Sequence, residues 1–194
     1  MRVSALPRAS DKASVRLSDW LTHPGRLAAA LVVAVATGAC VPAGRLRSEQ
    51  AAAPVFDPVA FFAGRTRGTG SLKVLLHRRQ RTLVIGSGVD RPDGSIMLDQ
   101  EVHRGEDAPT HRTWRLQAVG EGRYRGTLTD AVGPVSGKVD GNRLHLTFAM
   151  KGGLRAQQWL YLEPGGQAAR NRMVVTKLGL PVASLDETIT REPS

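Results

Sequence analysis

The chain has 194 residues, with 27 Lys and Arg against 17 Asp and Glu, a formal net charge of +10, 41% apolar residues and one cysteine. That length suits one domain with an appended segment, and the composition excludes a disordered chain, a collagen-like repeat and a polytopic membrane protein. The lone cysteine excludes an intramolecular disulfide framework and a cysteine-rich zinc site.

Taken in chain order, the first segment is an export address. Residues 1–25 are polar and basic, and Arg26 stands directly before the uncharged run from Leu27 to Ala36. The small residues Thr37-Gly38-Ala39 follow, and then Cys40. Basic, apolar, small is the order of a secretory signal peptide. At about 1.5 Å per residue the apolar run is too short to span a bilayer. It also lacks the period of an amphipathic core helix. Residues 1–39 are therefore expected to be a signal peptide with a signal helix. The run Thr37-Gly38-Ala39-Cys40 resembles the lipobox of bacterial lipoproteins. That resemblance implies a diacylated Cys40, cleavage just before it, and a lipid-anchored product. Acyl chains contribute about 0.8 kcal/mol per buried CH2, so several hold a protein firmly. Val41 follows the cysteine, with no Asp to mark inner-membrane retention. In a Gram-negative host the resemblance thus implies outer-membrane attachment facing the periplasm. Residues 40–55 form the lipidated cysteine and a flexible tether of Pro, Gly and Ala, and residues 56–192 form the folded domain.

A short helical turn should open that domain, with Asp57 as N-cap, Pro58 at the first helical position and Gly64 closing it. Phe56, Phe61 and Phe62 are its apolar anchors. Short apolar stretches then recur between Gly, Asp, Asn and Pro. They predict strands near 68–77, 82–89, 95–104, 110–119, 123–130, 135–139, 143–150, 156–163, 172–178 and 182–191. Alternation is visible in Leu144, Leu146, Phe148 and Met150, in Ile96, Leu98, Gln100 and Val102, and in Leu72, Val74 and Leu76. Arg91-Pro-Asp-Gly94, Gly120-Glu-Gly122, Val139-Asp-Gly-Asn142 and Lys151-Gly-Gly153 mark turns. Evenly spaced hairpins argue for a sandwich or a barrel, and this many strands in so short a domain favour an all-β, antiparallel up-and-down barrel of about 8–10 strands. The positive charge is dispersed, mostly as Arg. Its densest run, Arg78-Arg79-Gln80-Arg81, lies between two apolar stretches and reads as a hairpin loop, so no nucleic-acid partner is expected. Anionic lipid head groups are a fairer match for this charge.

A wider set of residues carries a resemblance over nearly the whole folded domain. It comprises Phe61-Phe62-x-Gly64 with Gly68-x-Gly70, Asp93-Gly94 with Leu98 and Glu101, Arg112-x-Trp114, and Tyr124-x-Gly126 with Asp130 and Gly133-x-x-x-Gly137. Trp159-Leu160-Tyr161-Leu162, Asn171-Arg172 and Lys177-Leu178-Gly179 complete it. This set resembles the bacterial lipoprotein family known as domain of unknown function 3833. Acidic residues are frequent in that family where Gln157-Gln158 stand here. Members are similar in outline to lipocalin-like (calycin-like) barrels and tend to be encoded beside enzymes of fatty-acid modification, which implies a role with lipids. Phe56-Asp57-x-x-x-Phe61-x-x-Gly64 also resembles the opening turn of a lipocalin, with Thr66 where a Trp is expected.

Residues able to do chemistry are sparse. Gly86-Ser87-Gly88 lacks the nucleophile elbow and its strand–helix context. Glu101, His103, Glu106, Asp107 and His111 span one hairpin and read as a solvated charged face rather than a metal site. No phosphate loop or cofactor motif occurs. A pocket lining is the better prospect, in which apolar walls with a few polar groups orient a ligand's head group. Arg112 and Trp114 share one strand face, Tyr124 and Asp130 another, and Trp159 and Tyr161 a third, with Asn171, Arg172 and Lys177 further on. Arg112 or Arg172 could meet a carboxylate or phosphate in bidentate fashion. These residues point to a membrane-anchored barrel that binds a lipid or fatty-acid-like ligand. The same residues would suit a filled barrel acting as an envelope interaction protein. A third option is an enzyme on a modified lipid, using Arg112, Tyr124, Asp130 and Lys177.

Overall fold

The structure is a computed structural model that describes residues 54–193; the expected signal peptide, Cys40 and nearly all of the tether lie outside the described residues. Asp57 caps the first helix as its sequence predicts. Its Oδ1 accepts from the backbone N–H groups of Val59 (2.9 Å) and Ala60 (3.2 Å), with Pro58 at the first helical position. This helix, α1, is Pro58–Phe62.

Ten strands follow: β1 (Gly64–Val74), β2 (Gln80–Asp90), β3 (Ser95–Arg104), β4 (Thr110–Gly120), β5 (Arg123–Leu128), β6 (Val135–Asp140), β7 (Arg143–Met150), β8 (Leu154–Leu162), β9 (Ala168–Lys177) and β10 (Leu180–Arg191). Each pairs antiparallel with its sequence neighbours, and β1 closes on β10 from Thr66↔Arg191 to Val74↔Ala183. The sheet is a closed up-and-down barrel of lipocalin-like architecture, preceded by one short helix. The expected bounds of β3 and β7 coincide with the observed ones. Asp130 falls just beyond β5, in a turn, because β5 ends at Leu128.

Inward positions alternate along every strand, and the buried side chains form one core. The two ends of the barrel differ. At one end α1 lies across β2, β3 and β4. Phe56 packs on Phe61 (ring centroids 5.3 Å apart) and Phe61 on Phe62 edge-to-face (5.0 Å). The Phe56 N–H donates to the Gly141 carbonyl (2.8 Å), which ties the plug to the β6–β7 turn. Gly88 lets α1 sit this close, since a Cβ there would lie 1.8 Å from the Phe62 carbonyl oxygen. The other end carries the hairpin loops 75–79, 105–109, 129–134, 151–153 and 178–179, and it is open.

Leu76 (φ 65°) and Leu178 (φ 51°) adopt left-handed backbone conformations at two of these open-end hairpins. That conformation costs an L-residue other than Gly about 1–2 kcal/mol. Both side chains are almost fully exposed, at 95% and 93%.

Candidate functional site

β3 and β4 pair Gln100 with Arg112 and Leu98 with Trp114, and these inward side chains start the site. Gln100 Oε1 accepts from Arg112 Nε (2.8 Å) and from the Trp114 indole N–H (3.0 Å), so one amide holds both groups. The Arg112 guanidinium carbon lies 5.9 Å from the Trp114 ring centroid. Trp114 is itself fixed edge-to-face on Phe148 (5.5 Å).

Across the interior, Glu187 of β10 is 7% exposed and accepts at Oε2 from Asn171 Nδ2 (2.7 Å). Space for this carboxylate comes from Gly68 on β1, where a Cβ would lie 2.4 Å from Glu187 Oε1. The Gly68-x-Gly70 motif therefore houses a buried acid. Burial pushes the Glu187 carboxyl up, opposed by the Asn171 hydrogen bond and the Arg112 charge. Burial pulls the Arg112 guanidinium down, opposed by the charges of Glu187 and Asp130. Glu187 Oε1, Asn171 Oδ1 and Thr82 Oγ1 are buried with no hydrogen-bond partner in the protein.

Two cavities inside the barrel meet at Arg112, and a more open groove of about 330 Å³ among Arg65, Ser87, Asp99, Glu101 and Thr113 also reaches it. The larger of the two interior cavities, about 240 Å³, opens between the loops of the open end. Leu72, Val84, Val102, Leu128, Phe148 and Leu185 are among its apolar walls, while Arg104, His111 and Asp130 stand with Arg112 as polar groups. The smaller, about 30 Å³, lies deeper among Gln100, Trp114, Gln158, Asn171 and Glu187. It has room for water but not for an organic ligand.

The expected lining residues separate into three groups. Arg112, Trp114 and Asn171 converge on the interior, and Asp130 joins Arg112 at the larger cavity. Tyr124 and Lys177 are placed elsewhere. Tyr124 is at the plugged end, where burial and nearby Asp57 push its phenol up, and Lys177 ends β9 at the rim, paired with Leu154 and Leu180. Trp159, Tyr161 and Arg172 are corrections to the expected lining. Gln158, Leu160 and Leu162 are the buried alternates of β8, and Asn171 and Met173 those of β9, so these three side chains take the outer face. Trp159 stacks there on His145 (4.9 Å, 3° between planes), and Arg172 faces Asp186 at 3.7 Å. Burial pulls the His145 imidazole down.

Glu187, Gln100, Arg104 and Thr82 were not singled out as site residues, although strand parity carries the signal. Glu187 follows Leu185 and precedes Ile189 on the inward series, as Gln100 sits between Leu98 and Val102. On the β3–β4 hairpin, Glu101 and His103 pair with one another at 2.7 Å. Among the described residues no three His, Cys, Asp or Glu side chains are grouped to hold a metal ion.

Residues 34–191 match the family described as "Protein of unknown function (DUF3833)". The chain belongs to that family. No curated protein matches the sequence. Solved structures similar to this DUF3833 chain include the S-type phycobiliprotein lyase CPES from Guillardia theta, with TM-score 0.55 and 11% identity over 70% of this chain and 91% of that one. A protein of unknown function from the DUF3598 family of Nostoc punctiforme is similar at TM-score 0.51 and 13% identity, over 72% of this chain and 50% of that one. Both likenesses are of fold.

Proposed function

We propose that this DUF3833 barrel binds a single-chain anionic amphiphile, of the fatty-acid class, in the cavity at its open end. The observation that carries this reading is an accessible, apolar-walled cavity of about 240 Å³ with a half-buried arginine, Arg112, in its lining. Its volume lies just below the roughly 300–1,000 Å³ typical of small-molecule pockets. One chain suits it better than the two chains of a phospholipid. Burial favours the neutral form of Glu187. Arg104 and Arg112 line this cavity beside Asp130, and either guanidinium can meet a carboxylate in bidentate fashion. The unpartnered Thr82 hydroxyl on the same wall could serve such a head group. The fold supports the reading by analogy alone, through its likeness to a phycobiliprotein lyase. No chemistry is assigned to the site.

The sequence also supports a lipoprotein anchored through Cys40, cut from residues 1–39 and tethered to the periplasmic face of the outer membrane. A second reading draws on the interior near α1, which is filled except for about 30 Å³. On that reading the barrel is a structural or interaction module of the envelope, and Arg112 and Gln100 are core partners.

Native mass spectrometry with lipid extraction, on residues 41–194 expressed into the periplasm, tests the proposal. A stoichiometric fatty acid that is lost in Arg112→Met is the expected result. A clean apoprotein that takes up no fluorescent fatty acid would overturn binding and leave the filled-barrel reading. Radiolabelled palmitate incorporation into the full chain, abolished in Cys40→Ser, tests the anchor.

A further inference from the structure

The open rim is chemically uneven. The β1–β2 and β9–β10 hairpins are neighbours, because β1 pairs with β10, and the Leu75 N–H donates to the Val182 carbonyl (2.8 Å) across them. These two hairpins hold all four exposed leucines among the described residues: Leu75, Leu76, Leu178 and Leu180. Arg78 and Arg79 are exposed on the first hairpin, and Lys151 on the adjoining β7–β8 turn. The β3–β4 loop, which adjoins the β1–β2 hairpin on its other side, is acidic, with Glu106 and Asp107.

We propose that the paired β1–β2 and β9–β10 hairpins form a lip that inserts leucines into an anionic phospholipid bilayer, while the flanking cations meet its head groups. Two observations argue for a bilayer here. Leu76 and Leu178 combine near-complete exposure with a left-handed backbone, positions where Asn or Gly would relieve both penalties. The two leucine-bearing hairpins themselves carry Lys73, Arg78, Arg79, Arg81 and Lys177 and no acidic residue within 73–81 or 176–182, which complements an anionic membrane surface. The inference rests on this surface alone and needs no ligand inside the barrel.

Every strand and core side chain lies within residues 56–191, so residues 54–194 contain the whole barrel and can be tested directly. The experiment is co-sedimentation with vesicles of phosphatidylcholine alone and of an equal mixture with phosphatidylglycerol, for the wild type and for the double variant Leu76→Asn/Leu178→Asn. Asn tolerates the left-handed conformation, so the variant should melt at the same temperature or higher. The wild type should partition onto the anionic vesicles, and less so at high salt. Each leucine removed should weaken partitioning by about tenfold. A wild type that ignores both vesicles, or a folded variant that partitions as the wild type does, would overturn the proposal. If the wild type instead dimerises by analytical ultracentrifugation, binds no vesicle and loses dimerisation in the variant, the lip belongs to a second copy and the proposal is overturned.

Discussion

Arg112 and Glu187 carry opposite charges into one interior, where each is unfavourable alone. A carboxyl whose folded pKa is raised binds more protons in the folded state. Its contribution is therefore complete below the unfolded value, about 4.3, and is lost as pH rises through the folded one. Arg112 restrains that rise for Glu187. Replacing it, as Arg112→Met, should cost about 1–3 kcal/mol at neutral pH. It should also steepen the loss of stability between about pH 5 and about pH 8. Urea denaturation at both pH values measures this. The double variant Arg112→Met/Glu187→Gln should flatten the dependence. An equal loss at both pH values in the single variant would show that Glu187 does not feel Arg112.

Among the elements, α1 depends most on a single neighbour. Gly88→Ala would place a methyl carbon against the Phe62 carbonyl and force the plug outward. The expected cost is about 1–3 kcal/mol, read as a lower melting temperature with greater binding of a hydrophobic dye. Gly94→Asn is the control, because that turn residue has φ +74° and nothing within 4 Å of an added Cβ. The element pattern was well marked in the sequence wherever apolar and polar residues alternate, as in β3 and β7. It was faint at the start of β1, where Gly64-Arg-Thr-Arg-Gly-Thr-Gly has little intrinsic strand preference and is held by pairing on both sides. Ala168 and Ala169 likewise join β9 because Ala169 fits the fully packed interior, not through their own propensity. The site was half legible for a related reason. Parity grouped Arg112 with Trp114, whereas Asn171 and Arg172 were adjacent candidates of which only Asn171 turns inward. Trp159 and Tyr161 share a face, as the pocket-lining expectation has it, yet that face is the outer one, because β8 turns Gln158 and Leu160 inward. A buried Glu opposite a glycine is legible only once the register of β1 and β10 is known.

At the scale of the whole molecule, closure of β1 on β10 leaves no free sheet edge. Ending the chain after Lys177 would remove β10 and bare β1 and β9 together. Such a chain should lose its cooperative melt and aggregate, as followed by circular dichroism and sedimentation. A truncated monomer that still melts cooperatively would mean that β1 and β9 can close on each other. Closure also fixes where the chain enters and leaves. Phe56 is bonded to the β6–β7 turn, and the Glu192 N–H donates to the Arg65 carbonyl (2.9 Å), so both ends of the described chain emerge beside the plug. A barrel held by either end stands upright like a cup on its foot, with its mouth and leucines facing away from whatever holds it. Turning the cup over onto the same support would need a strap of about 10 extended residues, enough to run its full height. Held on a shorter strap, it would reach a facing surface instead.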